Sequence, residues 1–187
     1  MANVHTHGVQ NPSELDDIGI QAIAEPFWHG LPHCNIFCCL TPDILHHLHK
    51  GVFKDHLCSW CTTLSTKPEV DARFQAMPAH PSLCHFKKGI STISQWSGQE
   101  YKNMEKVFVG LISGAVPLEA VHAAHAILDF IYLAQYLSHS TTTLQRLQDA
   151  LDRFHTHKAA FVDTNVCEHF DIPKIHSMAH YVESIKS

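Results

Sequence analysis

Asn35-Ile36-Phe37-Cys38-Cys39-Leu40 is a continuous apolar run of strand length, the pattern of a β-strand covered on both faces. The rest of the chain offers no second convincing run of this kind. A strand presents unpaired backbone donors and acceptors along each edge, and even a two-stranded pair is marginal in water. A chain with one such strand is therefore expected to be a piece of a larger α/β domain. The same shortage of partners predicts self-association of the chain.

Almost everything else reads as helix. Ser13 to Ala24 has the spacing of a short helix, and Glu25 to Pro32 reads as an irregular connector with two prolines. Thr41-Pro42 is a good helix start, because the hydroxyl can cap a backbone N–H and proline suits the first helical position. A helix is expected from about Asp43 to Leu64, with Leu45, Leu48, Val52, Leu57, Trp60 and Leu64 on one broad face. Gly51 inside it weakens it by about 1 kcal/mol relative to Ala. A short helix is expected around Val70 to Gln75, with breaks at Pro78 and Pro81. Ser97-Gly98-Gln99-Glu100 is a capping box opening a helix whose buried face carries Tyr101, Met104, Phe108, Leu111, Ile112 and Ala115. Pro117 starts a helix to about Leu137, apolar almost all round and so central. Ser140 to Thr143 caps another, with Leu144, Leu147, Leu151, Phe154 and Phe161 in step. Pro173 begins a last helix with Ile175, Met178, Val182 and Ile185 aligned, and Glu105 reads as exposed helix surface. Two regions follow: an N-terminal segment 1–42 ending in the strand, and a helical region 43–187 that runs out at Ser187 without a stop signal.

Composition narrows the function classes. An apolar fraction of 45% against 17% charged is that of a globular chain. Met1 to Gln10 lacks the charged-then-apolar pattern of a secretory signal. The most apolar run, Ala126 to Leu137, is too short to span a bilayer and carries Asp129 and Gln135, so no membrane partner is expected. The net charge is −5, with only 13 Lys and Arg and no basic block, which predicts weak or no DNA binding by this chain alone. Its 18 histidines could reverse the sign of the charge as pH falls towards about 5. Without an export signal, the seven cysteines read as reduced thiols.

The chemistry-bearing segment is Leu40-Thr41-Pro42-Asp43-Ile44-Leu45-His46. It puts a carboxylate where a buried strand ends and a helix begins, a junction where metal sites are commonly built. His46 lies three residues on, within side-chain reach, where it could orient a metal-bound carboxylate. The competing reading is structural, since any helix favours Asp at its start. Zinc is the rival metal. Cys58-Ser59-Trp60-Cys61 has ligand spacing, as do His176 with His180, His122 with His125, and His155 with His157, but no ordered run completes four ligands. Well under one equivalent of zinc is expected.

From Phe27 onward the chain resembles the Plavaka-type transposases of fungal genomes, relatives of the Kyakuja-Dileera-Zisupton and CACTA groups. The resemblance is carried by Pro26-Phe27-Trp28, Leu31-Pro32-His33, and Leu40 to His46 continuing through His49-Lys50-Gly51-Val52-Phe53-Lys54-Asp55-His56-Leu57. His85-Phe86-Lys87-Lys88-Gly89-Ile90-Ser91, Ser94-Gln95-Trp96 and Ile172-Pro173-Lys174-Ile175-His176-Ser177-Met178 continue it. It implies a mainly α chain: one strand of an incomplete RNase H-like α/β core, followed by a helical insertion domain. It implies a DDE/D-type cut-and-paste enzyme in which three acids hold two Mg²⁺ ions for attack on a DNA phosphodiester. Asp43 matches the second acid and metal ligand, and His46 completes the Asp-x-x-His signature of the catalytic site. Nothing before Asn35 reads as the strand of the first acid, and the third is expected beyond Ser187. Glu100 and Glu105 are poor substitutes, the first being a capping-box partner. The chain is thus expected to be an inactive transposase fragment that holds no Mg²⁺ tightly, nuclear if it works as a transposase and otherwise cytoplasmic. The alternative is a non-catalytic helical interaction module, or a co-opted remnant.

Overall fold

The computed structural model describes residues 26, 28–32 and 43–186. The expected strand Asn35–Leu40, the helix expected over Ser13–Ala24, and the caps Thr41 and Pro42 lie outside the described residues. The chain divides into two compact units, Met1–Leu40 and Thr41–Ser187. In the first, a turn is closed by the His29 amide donating to the Pro26 carbonyl at 2.7 Å, with Gly30 at positive φ.

The second unit is built of helices and their connectors, with no strand among the described residues. α1 (Ile44–Cys58) runs directly into α2 (Ser59–Ser65), so one long rod replaces the expected helix from Asp43 to Leu64. The winding of α1 differs from expectation: it has the wide i→i+5 pattern of a π-helix, an uncommon form. That pattern brings residues four and five apart onto one face. Leu48, Val52, Phe53, Leu57 and Cys61 recur at those intervals and are all fully buried. Leu45, placed on the buried face by a 3.6-residue period, is instead 40% exposed. Gly51 is buried and receives the Lys174 side chain, which an added Cβ would overlap.

α3 (Lys67–Ala76) carries Pro at its start and buries Val70 and Phe74. The connector that follows is pinned at its far end by Asp71. One carboxylate oxygen accepts from the Ile90 amide at 2.7 Å and the Ser91 amide at 2.9 Å, and the other accepts from the Ser91 hydroxyl. Gly89, at φ 77°, makes the turn that presents those amides. Burial pushes the Asp71 carboxyl upward, but these donors outweigh it and hold the group below the usual carboxylate range.

α4 (Gly98–Ile112) opens with the expected capping box: Ser97 caps the Glu100 amide, and Glu100 accepts from the Ser97 amide at 2.7 Å. Its inner face is Tyr101, Met104, Phe108 and Ile112, and Phe108 meets Phe53 edge-on at 5.1 Å. α5 (Leu118–Ala134) is buried on nearly every side, as its composition implies, and stops short of the expected Leu137, which is fully exposed. α6 (Thr141–His157) has a second capping box, Ser140 with Thr143, and lies along α5 in the most extensive helix pairing of the unit. Phe161 is not in step on α6. It belongs to a separate short helix, α7 (Ala159–Asp163), and stacks obliquely on Trp60 at 5.0 Å.

The last expected helix is broken in two: α8 (Pro173–His176) and α9 (Met178–Lys186). Their apolar side packs back on α1 and α6, with Ile175, Met178, Tyr181 and Val182 buried. Among the described residues, no helix is long and apolar enough to cross a membrane.

Candidate functional site

Asp43 is the N-cap of α1 rather than a first-turn residue, because its own side chain closes the helix start. Oδ1 accepts from the Leu45 amide at 2.8 Å and the His46 amide at 3.1 Å, while Oδ2 lies 2.6 Å from His46 Nδ1. The His46 amide and the His46 ring, with a lesser part from the Leu45 amide, hold the carboxyl below its usual range against the opposing effect of desolvation. Both side chains are exposed. The Asp43 carbonyl accepts from the Tyr181 hydroxyl at 3.3 Å, and His47 Nε2 contacts Ser177 Oγ at 2.7 Å, so α9 and its approach fix the backbone of this turn.

Beside His46 runs a groove lined by Lys50, Lys54, Asp55, Trp96 and Tyr101. Trp96 and Tyr101 stack with ring centres 5.7 Å apart, and the Lys54 ammonium sits 5.3 Å from the Trp96 ring centre. Asp55 pairs with Lys50 at 3.1 Å and with Lys174 at 3.6 Å, which offsets much of the positive charge.

The two substitute acids are occupied elsewhere. Glu100 accepts from both the amide and the hydroxyl of Ser97. Glu105 is not on the surface as its charge suggested. It is 2% exposed and faces His49, with Oε1 2.7 Å from Nδ1. Burial pushes its carboxyl above the usual range, and the His49 contact pulls it partly back. His49 Nε2 and Glu105 Oε2 are buried without partners. The face that carries Tyr101, Met104 and Phe108 already contained position 105. Its partner, 56 residues away in sequence, left no local signal.

The thiol and imidazole pairs also resolve. Cys58 and Cys61 are buried, and burial pushes both thiols up, away from the thiolate a metal needs. His176 and His180 touch through their Nε2 atoms at 3.3 Å on the surface. His122 and His125 serve different acids, Glu119 and Asp129 respectively. His155 packs on Phe154, whereas His157 turns to Glu119.

Residues 2–61 match the family model described as Plavaka transposase, a span that contains the whole Asp43–His46 turn. Over that span the chain is similar to the Plavaka transposases. The blocks around His85–Trp96 and Ile172–Met178 lie beyond the matched residues. No curated protein and no solved structure matches the chain.

Asp43 offers one carboxylate with both oxygens already engaged, and Glu100 and Glu105 are committed to Ser97 and His49.

Proposed function

We propose that this chain carries the second-acid turn of an RNase H-like, DDE/D-type cut-and-paste transposase, followed by helices of its insertion domain. Asp43 is one Mg²⁺ ligand in the parent site, and His46 positions its carboxylate. The observation that carries the reading is the exposed Asp43 carboxylate with His46 Nδ1 at 2.6 Å, inside the matched span. Mg²⁺ commonly takes only one or two protein carboxylates and keeps water on its other positions, so a lone exposed Asp suits one corner of such a site. The ion would supply the activated oxygen and neutralise charge on the phosphodiester. This chain's part is to present the carboxylate at a capped helix start, with its imidazole neighbour setting the carboxylate's orientation.

The chain alone is catalytically silent on this reading, because in-line displacement needs both attacking and leaving oxygens clamped. It binds DNA weakly, since Asp55 offsets the lysines of the groove beside His46 and the net charge is −5. Two measurements test this. Supercoiled DNA incubated with the chain and Mg²⁺ or Mn²⁺ stays uncut and unjoined. Nicking that disappears in Asp43→Ala refutes silence. Millimolar Mn²⁺ broadens the amide signals of Leu45 and His46, and Asp43→Asn abolishes the effect. Absence of broadening there refutes the ligand role.

A further inference from the structure

The fold brings together three side chains of metal-ligating type, of which sequence spacing pairs only Glu119 with His122. Glu119 stands in the first turn of α5, His122 one turn later, and His157 is the last residue of α6. His157 Nδ1 lies 2.6 Å from Glu119 Oε2, and His122 Nδ1 lies 3.8 Å from Glu119 Oε1. The two imidazole rings are 5.0 Å apart, and one donor atom from each of the three residues lies within 4.8 Å of the others.

We propose that Glu119, His122 and His157 form a zinc site that clips the start of α5 to the end of α6. Two imidazoles and one carboxylate are a donor set that zinc accepts with a fourth position left to water. Ligand bonds of about 2.0–2.2 Å place two donors on a tetrahedral ion roughly 3.3 Å apart. The two contacts run to different oxygens of Glu119, and donor atoms within 4.8 Å of one another reach that spacing by rotation of the carboxyl group and the two rings. To hold the ion through Nδ1, the neutral His157 imidazole carries its single proton on Nε2, so the tautomer changes and no net proton is released. The scaffold is already set: α5 and α6 pair along their length, and a turn closer to the middle Arg153 Nη2 donates to Asp129 Oδ2 at 2.7 Å. His157 is the least exposed of the three at 27%, so its ring is held in place by packing. The fourth position faces solvent, with Glu119 and His122 both exposed. This site is separate from the Asp43 turn and stands whether or not the transposase reading does.

The test is metal titration of the full chain, without an affinity tag and stripped of metal. Against the sub-stoichiometric zinc expected from sequence spacing alone, this site is expected to bind about one equivalent and to raise the melting temperature by several degrees. Co²⁺ in its place gives the visible absorption of a four-coordinate ion. His157→Gln, His122→Gln and Glu119→Gln each weaken zinc binding at least tenfold and remove the thermal shift. All three positions are solvent-accessible, and circular dichroism verifies that each variant folds. His176→Gln with His180→Gln, the other touching imidazole pair, leaves the affinity unchanged. The proposal is overturned by absence of saturable binding in the parent chain. It is equally overturned by binding that survives His157→Gln, or by binding lost only in the His176/His180 variant.

Discussion

Removing Glu105 alone should destabilise the protein far more than removing Glu105 and His49 together. The two side chains are 0% and 1% exposed and meet at 2.7 Å between α4 and α1. Breaking a buried pair by deleting one member typically costs about 3–5 kcal/mol, because the survivor stays buried without its partner. Glu105→Ala strands His49 Nδ1 in this way, and His49→Ala strands Glu105 Oε1. In the double variant His49→Leu/Glu105→Leu the stranded groups are gone. Two atoms that already lack partners, His49 Nε2 and Glu105 Oε2, disappear with them. Each unsatisfied buried polar group costs about 1–3 kcal/mol, so the double variant should lie within about 1 kcal/mol of the parent or above it. Urea unfolding followed by the fluorescence of Trp60 and Trp96 measures all four stabilities at one m-value. The reasoning is refuted if the double variant loses as much as the two single variants combined. pH gives an independent reading. Burial raises the Glu105 pKa in the folded chain above its ordinary 4.5. A raised folded pKa means that its contribution is fully present below 4.5 and is lost as pH rises through the folded value. The stability difference between parent and Glu105→Gln should therefore grow against the parent over that rise.

Three further outcomes are expected. In an acid titration by NMR, Asp43 has its midpoint below 3.8 and moves upward in His46→Ala; its contribution to stability is present above 3.8 and lost as pH falls through the folded value. Ser97→Ala removes one half of the α4 capping box and costs about 1 kcal/mol in urea unfolding, whereas an unchanged midpoint would deny the cap any energetic role. Under native conditions Cys58 and Cys61 are alkylated far more slowly than Cys84 and Cys167, read by peptide mass mapping; equal rates would contradict their burial.

What the sequence disclosed was whatever is written locally. Both capping boxes sit where Ser97 and Ser140 place them, because a hydroxyl and its N3 partner act within four residues. The apolar wrap of α5 announced a central helix, and α5 is buried on nearly every side. The winding of α1 was hidden because its apolar residues satisfy a 3.6-residue template almost as well as a wider one; only Leu45 falls on the wrong side. Glu105 was misread because residue type outweighed position, and the compensating imidazole lies on another helix. The Asp43–His46 contact was legible from its three-residue spacing, although the carboxylate proved to be the cap itself. The Glu119, His122 and His157 cluster was invisible for the opposite reason: spacing pairs His122 with His125 and His155 with His157, whereas the packing of α5 on α6 selects one member of each.

The bonds that hold the Asp43 turn come from the other end of the helical unit: Tyr181 to the Asp43 carbonyl, Ser177 to His47, and the Lys174 stem lying in the notch left by Gly51. During synthesis the chain is released in order, so Asp43 leaves the ribosome long before any of these partners exists. The early helix can wind and cap itself with Asp43 and His46, but its approach backbone stays unfastened until residue 181 has emerged. A stalled or prematurely ended translation product would therefore carry the Asp43 turn without the clasp that fixes its direction.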